Sequence, residues 1–558
     1  MTDEPTKSTE TNAARSYHRA AFVLLFALLV IRLVTAVRFG MAWDEAYYWQ
    51  WSRRLALCYY DAGPGMALTI RAGTTLLGDT PLGVRFVPIL MSVGANALMY
   101  ATACRWFGPR VGFWTVALAS IAPLLAIGSV LATYDLPQIF FWSAGLYAVT
   151  RAVRSPPGAP SEHPRGGAHW WYVTGLCVGL GTITKPTMIF FAPGVLLLLA
   201  LVPAYRKHLA SPHPYLAFVL AVLCLAPVFI WNAQNDNLNW THTLNRGNRS
   251  TDAAPGRWLG EFWGGQGLVV GPFLLIAELI ALYHVLRRPS DPRNAFIIAF
   301  TVPILAVCTL ISLRSKVEIN WSVAAHLTGL LAVAALWFGE RSAVRSPPAP
   351  NPGGDGGEES ESLRSTDERT SPGFPPPAPP GLGAGGLRIP RIVAIAVSAL
   401  LTIVLFFPNA LVIGPFGPFV ANGTWEKVNE QYGWETIAAA VERERAVLKA
   451  ESGDTPVLVA GTGYRVCSIL SFYLPGQPFV EKIQIPDTRR DQYNLWTSES
   501  KLTGQNAVVA MEREKPDEEA YLRTRFASVS EPIIVHVARP GFKGPIKSWY
   551  VYRCMKFR

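Results

Sequence analysis

Charged residues are scarce in this chain. Asp, Glu, Lys and Arg make up 16% of its 558 residues, whereas an average soluble domain carries about 25%. Hydrophobic residues make up 50% of the chain, and the mean hydropathy is +0.23. This balance excludes an ordinary soluble domain and predicts a chain that lies mostly within a lipid bilayer.

Metal-binding cysteine patterns are also lacking. The seven cysteines form no CxxC pair and no Cys/His spacing of the kind that binds zinc. Most of them stand within apolar runs, where cysteine usually serves as a packing residue. We therefore predict no metal site.

Long apolar stretches dominate the chain up to residue 413. About eleven of them are long enough to cross or nearly cross a bilayer, which takes roughly 17–25 residues. The first is predicted to be a retained anchor, because no small-residue cleavage site follows it. A re-entrant hairpin is an alternative for the pair at 170–204. The predicted spans are 20–38, 82–104, 111–130, 134–151, 170–184, 187–204, 214–231, 266–286, 295–313, 321–339 and 389–413.

The formal net charge of +11 is explained by where the basic residues stand. They collect in alternate loops, which the positive-inside rule assigns to the cytoplasm. The loops around Asp44, Asp135 and Lys185, the segments 232–265 and 314–318, and everything after residue 413 then face outward. No nucleic-acid partner is needed to account for the charge. The cytoplasmic basic residues are Arg105, Arg110, Arg151, Arg154, Arg165, Arg206, Lys207, Arg287, Arg288, Arg293, Arg341 and Arg345.

Composition divides the chain into five parts. Residues 1–19 are a cytoplasmic tail, and residues 20–339 are the transmembrane domain that we expect to be catalytic. Pro, Gly, Ser and acidic residues fill 340–388, which predicts a disordered cytoplasmic linker before the last transmembrane helix at 389–413. Residues 414–558 alternate between helix and strand patterns, which predicts a small extracytoplasmic α/β domain. Its predicted helices are 434–449 and 466–473, and its predicted strands are 457–461, 507–510, 533–537 and 549–552.

The fold class is therefore mainly α. We predict a polytopic membrane helix bundle with interfacial helices in the first external loop and a small α/β domain at the C-terminus. The predicted location is the cell inner (plasma) membrane, with multiple spans and the C-terminal domain on the extracytoplasmic side.

Acidic residues cluster just after the first span. Asp44 and Glu45 stand together among aromatic residues, in the sequence WDEAYYWQW at 43–51, and Asp61 follows two tyrosines. Acids are costly next to hydrocarbon and usually have a function there. Asp44 also fits as a cap of an interfacial helix over 45–57, but capping does not explain the second and third acids.

Asp135 stands on the same predicted side, at the external start of a span. Its simplest role is to cap that helix. Two acids on one side can instead divide labour, one accepting a proton from a hydroxyl while the other orients the acceptor or stabilises positive charge. The catalytic candidates are Asp44, Asp135, Glu45 and Asp61.

A few basic residues remain on the external side against the general bias. Lys185, Arg314, Lys316 and Arg85 are candidates to bind an anionic ligand such as a lipid phosphate. The alternative is that they pair with neighbouring acids or with lipid headgroups.

These motifs together resemble bacterial glycosyltransferase family 39, the relatives of protein O-mannosyltransferases and of the lipid A aminoarabinose transferase. The similarity extends over roughly residues 20–340, with the first motif the most specific. The motifs are DEAYYWQWSR at 44–53, YYD at 59–61, GVR at 83–85, TYDLP at 133–137, GLG at 179–181, TK at 184–185, WNAQ at 231–234 and NW at 320–321.

The resemblance implies a GT-C membrane fold and a polyprenyl-phosphate-linked sugar as donor. It makes Asp44 the catalytic base and Asp135 the second acid, while Lys185 or Arg314 helps to hold the lipid phosphate. An acceptor hydroxyl on a lipid, glycan or protein attacks the anomeric carbon with inversion. We expect a mannosyltransferase-like hexosyl- or pentosyltransferase of the cell envelope. No cofactor is predicted, because the leaving phosphate is a stable anion that needs only cations nearby.

The chain departs from the family at residues 61–64. Relatives commonly have an acid, a basic residue and two prolines there, whereas this chain has Asp61, Ala62, Gly63 and Pro64. A phosphate contact from this segment is lost with the basic residue. Two other functions fit the chain: a transporter or flippase for a lipid-linked sugar, and a non-catalytic binding homologue. The first usually shows midplane ionisable groups and inverted repeats. Here the candidate acids stand at external span ends, Glu278 alone lies inside a span without an assigned role, and we find no inverted repeat in the sequence.

Overall fold

The computed structural model describes residues 4–153, 167–247, 256–339, 388–406, 431–539 and 544–558. A helical bundle precedes a small α/β domain, which is the predicted fold class. The bundle helices are α1 (Glu4–Arg38), α2 (Trp43–Arg53), α3 (Gly65–Leu77), α4 (Pro81–Phe107), α5 (Pro109–Ile121), α6 (Pro123–Gly128), α7 (Asp135–Val153), α8 (His169–Thr182), α9 (Phe191–Leu201), α10 (His213–Cys224), α11 (Ala226–Gln234), α12 (Leu238–Gly247), α13 (Arg257–Val270), α14 (Pro272–Leu286), α15 (Pro292–Ser312), α16 (Val323–Phe338) and α17 (Arg388–Phe406). Short 3-10 helices lie at Pro186–Phe190, Pro203–Ala210 and Ile319–Ser322.

Local sequence sets several helix starts and ends. The Thr80 hydroxyl accepts a hydrogen bond from the Gly83 N–H, and a proline opens the first turn of α4. Asp291 caps α15 in the same way by accepting from two backbone N–H groups. Gly108 ends α4 at φ +91°, a conformation that glycine adopts without strain.

Continuous membrane-crossing helices are fewer than the predicted spans. Among the described residues, four helices are long and apolar enough to cross a bilayer, or up to six if each of two bent pairs is one span. Proline or glycine breaks other predicted spans into shorter helices, as at 111–130, where α5 ends and Pro123 opens α6. The count of about eleven spans therefore stays a prediction. The four helices are Asn12–Arg38, Pro81–Phe107, Pro292–Ser312 and Ile319–Phe338.

Apolar side chains cover both the interior and the outer surface of the bundle. One large buried cluster joins α4, α7, α9, α15 and α16 through residues such as Trp142, Phe300 and Leu330. Large side chains on the outside, including Phe22 and Leu223, are exposed. An apolar exterior of this kind is what lipid contact requires, and the protein is a multi-pass membrane protein.

The described part of the C-terminal domain contains a six-stranded mixed sheet with the order β2-β1-β3-β6-β4 and β5 paired with β6. Its elements are α18 (Trp434–Ser452), β1 (Val457–Gly461), α19 (Tyr464–Tyr473), β2 (Glu481–Lys482), α20 (Tyr493–Trp496), β3 (Asn506–Met511), α21 (Pro516–Arg525), β4 (Phe526–Val529), β5 (Ile533–Val537) and β6 (Lys547–Phe557), with a 3-10 turn at Glu499–Lys501. β1 is parallel to β2 and β3, whereas β6 is antiparallel to β3, β4 and β5. The predicted strands at 457–461 and 533–537 are confirmed with their bounds, and β4 and α21 were not predicted.

The C-terminal domain packs directly on residues 39–64, the segment predicted to be the first external loop. Its α18 and α19 share one buried cluster with α2, in which Trp434 contacts Trp43 at 6.1 Å between ring centres. The Trp434 indole N–H donates to the Met41 carbonyl oxygen, and the Tyr473 hydroxyl accepts from the Met41 N–H. The predicted interfacial helix is thus found as α2, but the C-terminal domain covers its aromatic face.

Some predictions fall outside the described residues. These are most of the predicted disordered linker 340–388, the end of the last predicted span at 407–413, and the start of the C-terminal domain at 414–430. The domain boundaries therefore stay predictions. Helix α17 occupies the first part of the last predicted span.

The bend between α13 and α14 provides a test of the bundle. The two helices meet at 102°, and Gly271 between them has φ +98°, where an added Cβ would collide with the Ser398 hydroxyl. We expect Gly271→Ala to lower the free energy of unfolding by about 1–3 kcal/mol. Gly260→Ala is the matched control, since among the described residues no heavy atom lies within 4 Å of its added Cβ. Thermal unfolding in detergent measures both, and equal melting temperatures would contradict this requirement for glycine at 271.

Candidate active site

Asp44 lies in the first turn of α2 and faces the C-terminal domain. Its Oδ1 accepts a hydrogen bond of 3.3 Å from the Tyr464 hydroxyl, at the start of α19. The next residue, Arg465, donates from Nε to the same hydroxyl at 3.4 Å and lies over the Trp43 ring. Within the described residues, Oδ2 of Asp44 accepts no hydrogen bond. One carboxylate oxygen is therefore held while the other can accept a proton from a ligand.

The surroundings of Asp44 raise the pKa of its carboxyl group. The side chain is exposed, yet the protein around it removes enough water to raise this pKa above the ordinary value of 3.8. The positive charges of Arg465 and Arg489 and the Tyr464 hydrogen bond lower this pKa, whereas the charge of Asp61 raises it further. Desolvation is the largest of these effects. A carboxylate with a raised pKa holds a proton more strongly than a free one, which suits a general base.

Glu45 and Arg85 form a buried ion pair beside Asp44. Nε and Nη2 of Arg85 contact the two carboxylate oxygens at 2.7 and 2.5 Å, and both side chains are fully buried. Glu45 also accepts from the backbone N–H groups of Ala42 and Ala132. The other N–H groups of Arg85 donate to the carbonyl oxygens of Ala36, Phe39 and Gly40.

These contacts favour a structural role for both residues. Both oxygens of Glu45 accept hydrogen bonds from buried donors, which disfavours the predicted role as a catalytic acid. All five N–H groups of Arg85 have protein acceptors, so Arg85 shows the acid pairing that was the alternative to phosphate binding. The pair instead joins the end of α1, the start of α2, helix α4 and the turn before α7. It therefore fixes the positions of Asp44 and Asp135.

Asp61 links the first external loop to the C-terminal domain. Its Oδ2 accepts from the Tyr47 hydroxyl at 2.6 Å, and its Oδ1 lies 2.5 Å from Nη2 of Arg489. His242 of α12 lies 3.5 Å from the same Oδ1. The Asp61 side chain is only 7% exposed. These contacts favour a role for Asp61 in holding Arg489 rather than in accepting a proton.

Residues 62–65 pack closely against the segment before Lys185. The Gly65 N–H donates to the Ile183 carbonyl oxygen, and an added Cβ on Gly63 would collide with that oxygen. Ala62 is buried beside this contact. The small residues that replace the family motif thus pack closely against the neighbouring segment. The positive charge that contacts Asp61 comes from Arg489 instead.

A buried ion pair within the C-terminal domain holds the segment that carries Arg489. Nζ of Lys482 lies 2.7 Å from Oδ2 of Asp491, and both side chains are at most 2% exposed. Gln492, the next residue, accepts from the Tyr60 N–H through its side-chain oxygen at 2.7 Å. The segment is thus tied to its own domain on one side and to the first external loop on the other.

Asp135 belongs to a second cluster, at the start of α7. Nζ of Lys185 lies 2.5 Å from its Oδ1, and the Asn320 side-chain amide donates to its Oδ2 at 3.0 Å. Lys185 also donates to the Asn320 carbonyl oxygen. The structure therefore brings two predicted site residues, Asp135 and Lys185, into contact. This ion pair is the alternative to phosphate binding that the sequence left open for Lys185. The rings of Tyr48 and Tyr134, 5.5 Å apart, connect this cluster to α2.

A buried polar network braces the turn that carries Asn320. His326 of α16 contacts Glu278 through Nδ1 and Gln266 through Nε2, each at 2.9 Å. The Gln266 side-chain amide donates to the Ile319 carbonyl oxygen, and the Ser322 hydroxyl donates to Oε1 of Gln266. Both ends of the 3-10 helix are therefore fixed from inside the bundle.

Arg314 and Lys316 lie in the exposed segment between α15 and this 3-10 helix. Both side chains are exposed, a few residues before Asn320 in the chain. They stay candidates for binding an anionic ligand.

The sequence reasoning missed Tyr464, Arg465 and Arg489. Tyr464 is 420 residues from Asp44 in the chain, and Arg489 is 428 residues from Asp61. One signal was present, since Tyr464 and Arg465 follow β1, and residues beyond the carboxyl ends of parallel strands often form binding sites. It did not show that the domain would face α2.

Comparisons with known proteins give relatives for about half of the chain. A family model described as dolichyl-phosphate-mannose-protein mannosyltransferase matches residues 61–231. Lipid A galacturonosyltransferase RgtD of Rhizobium johnstonii is 33% identical over 296 residues, which cover 53% of this chain and 60% of that protein. Undecaprenyl phosphate-alpha-4-amino-4-deoxy-L-arabinose arabinosyl transferase 1 of Sodalis glossinidius is 29% identical over 220 residues, or 38% of this chain and 34% of that protein. The chain thus matches less than two thirds of the length of either relative.

Solved structures show the same fold over almost the whole chain. ArnT from Cupriavidus metallidurans bound to undecaprenyl phosphate aligns with a TM-score of 0.59 at 15% identity, covering 95% of this chain and 97% of that one. Its apo form aligns with a TM-score of 0.57 at 14% identity and the same coverage. The predicted resemblance to glycosyltransferase family 39 and the GT-C fold are confirmed.

The Glu45–Arg85 pair provides a second test. Removing one partner leaves the other charge buried without a counter-charge, so Glu45→Gln and Arg85→Met should each lower the free energy of unfolding by about 3–5 kcal/mol. The double variant should lose less than the sum, because no unpaired charge remains. Chemical unfolding in detergent measures these differences.

The exposed pair Arg257–Glu261 is the matched control for that test. Its side chains are 59% and 44% exposed, so Arg257→Met should change the free energy of unfolding by less than about 1 kcal/mol. Strictly additive losses at Glu45 and Arg85 would contradict the coupling between them.

Proposed function

We propose that this chain is a membrane glycosyltransferase. It moves a sugar from a polyprenyl-phosphate-linked donor to an acceptor hydroxyl on the extracytoplasmic side of the cell inner membrane. The observation that carries the proposal is the exposed Asp44 carboxylate, with one oxygen held by Tyr464 and positive charge nearby from Arg465 and Arg489. The undecaprenyl phosphate bound in the ArnT structure, and named for the aminoarabinose transferase, supports a polyprenyl phosphate donor.

The transfer step follows from the geometry of Asp44. The acceptor hydroxyl gives its proton to Oδ2 while its oxygen bonds to the anomeric carbon. The bond from that carbon to the phosphate oxygen breaks, and polyprenyl phosphate leaves with the electron pair. A single displacement of this kind inverts the anomeric configuration. A positioned general base usually contributes about 10²–10⁴-fold to such a step.

Asp135 and Lys185 serve a different purpose in this proposal. Their mutual contact and their bonds to Asn320 leave both side chains mostly buried, which favours positioning of the acceptor or the donor over proton transfer. Lys185 brings positive charge to this end of the bundle, and the exposed Arg314 and Lys316 can contact the donor phosphate. Cations at these positions stabilise the phosphate as it leaves.

The names of the two relatives support a proposal for the transferred sugar and its acceptor. One relative transfers galacturonic acid to lipid A, and the other transfers an amino-pentose, so the sugar is a hexose or a pentose. The more similar of the two favours a hexosyl group and a glycolipid acceptor over a glycan or a protein. Asp44 and Asp135 lie in the first turns of α2 and α7, whereas Glu278 lies within the bundle, where it contacts His326. Candidate acids at helix starts favour transfer over transport of the lipid-linked sugar.

Removing the base tests the proposed reaction. Asp44→Asn should lower kcat for sugar transfer by about 10²–10⁴-fold, because the amide cannot accept the proton. Transfer from a polyprenyl-phosphate donor to a glycolipid in reconstituted vesicles measures this. Asp454→Asn, an exposed acid elsewhere in the C-terminal domain, is the control and should keep full activity. Unchanged turnover in Asp44→Asn would remove Asp44 as the base, and movement of donor across the vesicle without transfer would favour a flippase.

The pH dependence of transfer tests the environment of Asp44. Only the ionised carboxylate accepts a proton, so kcat/KM should fall as the pH falls through the pKa of Asp44. Because desolvation raises this pKa, the midpoint should lie above 3.8. Tyr464→Phe removes a hydrogen bond that lowers the pKa, so the midpoint should move to still higher pH. A midpoint unchanged in Tyr464→Phe would contradict the contact between the two residues.

A further inference from the structure

We infer that the C-terminal domain supplies an oxyanion-binding subsite to the active site, formed by Arg465 and Arg489. The inference rests on the proposed function, because the subsite borders Asp44. It assigns to the domain a direct part in substrate binding.

Both guanidinium groups are accessible and only partly engaged. Arg489 is 43% exposed, and Arg465 is also exposed. Within the described residues, Arg489 hydrogen-bonds only through Nη2, to Asp61, and Arg465 only through Nε, to Tyr464. A guanidinium has five N–H donors in a planar fork that fits a phosphate or a carboxylate with two parallel bonds. Each arginine therefore keeps an open edge for a ligand.

Both arginines lie close to the Tyr464 ring. Arg489 lies 5.4 Å and Arg465 5.9 Å from the Tyr464 ring centre. The Tyr464 hydroxyl donates to Asp44, and burial, with the Asp44 charge, raises its pKa to about 12, so it keeps its proton at neutral pH. A ligand oxyanion held by the arginines would thus lie beside the proton acceptor.

Attachment of the domain does not require these two side chains. The Met41 backbone is bonded at both its N–H and its carbonyl oxygen by the C-terminal domain, and Gln492 bonds Tyr60. Arg53 also donates to the Gln477 carbonyl oxygen. The C-terminal domain is thus attached to the loop by other contacts. Ligand binding therefore explains the exposed Arg465 and Arg489 side chains better than attachment of the domain does.

Protonation of Asp44 during the transfer makes its surroundings more positive, which favours a bound oxyanion. Before reaction, Arg465 and Arg489 face the carboxylates of Asp44 and Asp61, and Glu512 faces Arg465 from the end of β3. When Asp44 has taken the acceptor proton, one negative charge is lost and the arginines are less neutralised. An anion beside them is then held more strongly at the moment when its charge develops.

The ligand of this subsite is an oxyanion, which can come from either of two groups. One is the phosphate of the polyprenyl donor, for which residue 62 of the first loop offers no cation because Ala62 stands there. The other is a carboxylate on the transferred sugar, as in a hexuronic acid. Either group can bind a guanidinium through two oxygens. Replacing the arginines should therefore weaken binding of whichever ligand carries the oxyanion.

The test uses the full chain purified in detergent and the variants Arg465→Gln and Arg489→Gln. Arg490→Gln is the matched control, since Arg490 is an exposed arginine in the same segment and its loss changes the net charge equally. Calorimetric titration measures binding of a short-chain polyprenyl phosphate without sugar, and of free galacturonate. Thermal unfolding checks that each variant is folded.

We expect Arg465→Gln and Arg489→Gln to bind one of these two ligands at least about tenfold more weakly, the loss expected for about 1.4 kcal/mol, while Arg490→Gln binds both like the wild type. Weaker binding of polyprenyl phosphate identifies the donor phosphate as the oxyanion, and weaker binding of galacturonate alone identifies a sugar carboxylate. Arginine variants that bind both ligands like Arg490→Gln would overturn the inference.

Transfer assays separate this inference from the proposed function. With a neutral-sugar donor and a hexuronic donor, the arginine variants should raise the donor KM. They should also lower kcat if the oxyanion is the leaving phosphate, whose charge develops during the reaction, but not if it is the sugar carboxylate. Arg489→Gln should also move the acid limb of the pH profile upward, because Arg489 lowers the pKa of Asp44. Arginine-dependent binding by a wild-type chain that transfers from neither donor would refute the proposed transferase activity and leave the subsite standing.

Discussion

The buried contact between Glu45 and Arg85 is the constraint on which the candidate site depends. Two charges taken out of water carry a desolvation cost that only a complete set of hydrogen bonds offsets. Here every donor of Arg85 and both oxygens of Glu45 have protein partners. Because those partners lie in four separate elements, the pair determines where α2 begins, and hence where Asp44 faces. It also places the turn before Asp135.

The first external loop and the C-terminal domain build the site together. Asp44 and Asp61 come from the loop, while Tyr464, Arg465 and Arg489 come from the domain. The positive charge that meets both acids comes from the domain, through Arg465 and Arg489. In the family motif a basic residue follows the acid at position 61, whereas this chain has Ala62 there.

Local sequence signals predicted the architecture, whereas long-range contacts determine the site. Apolar length predicted a membrane bundle, and the short apolar runs at 457–461 and 533–537 predicted strands with the bounds that β1 and β5 have. Charge bias put Asp135 and Lys185 on one side, and the structure brings them together. Sequence cannot separate an exposed arginine from a buried one, which is why Arg85 was taken for a phosphate ligand. Nor does it predict contacts across 420 residues, such as that of Tyr464.

The difference between the two acid clusters argues for a division of labour. Asp135 is held on both oxygens, by a lysine and an amide, and is 17% exposed, so its charge is already compensated. Asp44 is exposed, has one oxygen without a protein donor among the described residues, and is compensated only through a phenol and two arginines that can also reach a ligand. A proton acceptor must be accessible and incompletely paired, whereas a positioning residue must be fixed. The geometry therefore favours proton transfer at Asp44 and positioning at Asp135, and it makes the C-terminal domain part of the chemistry.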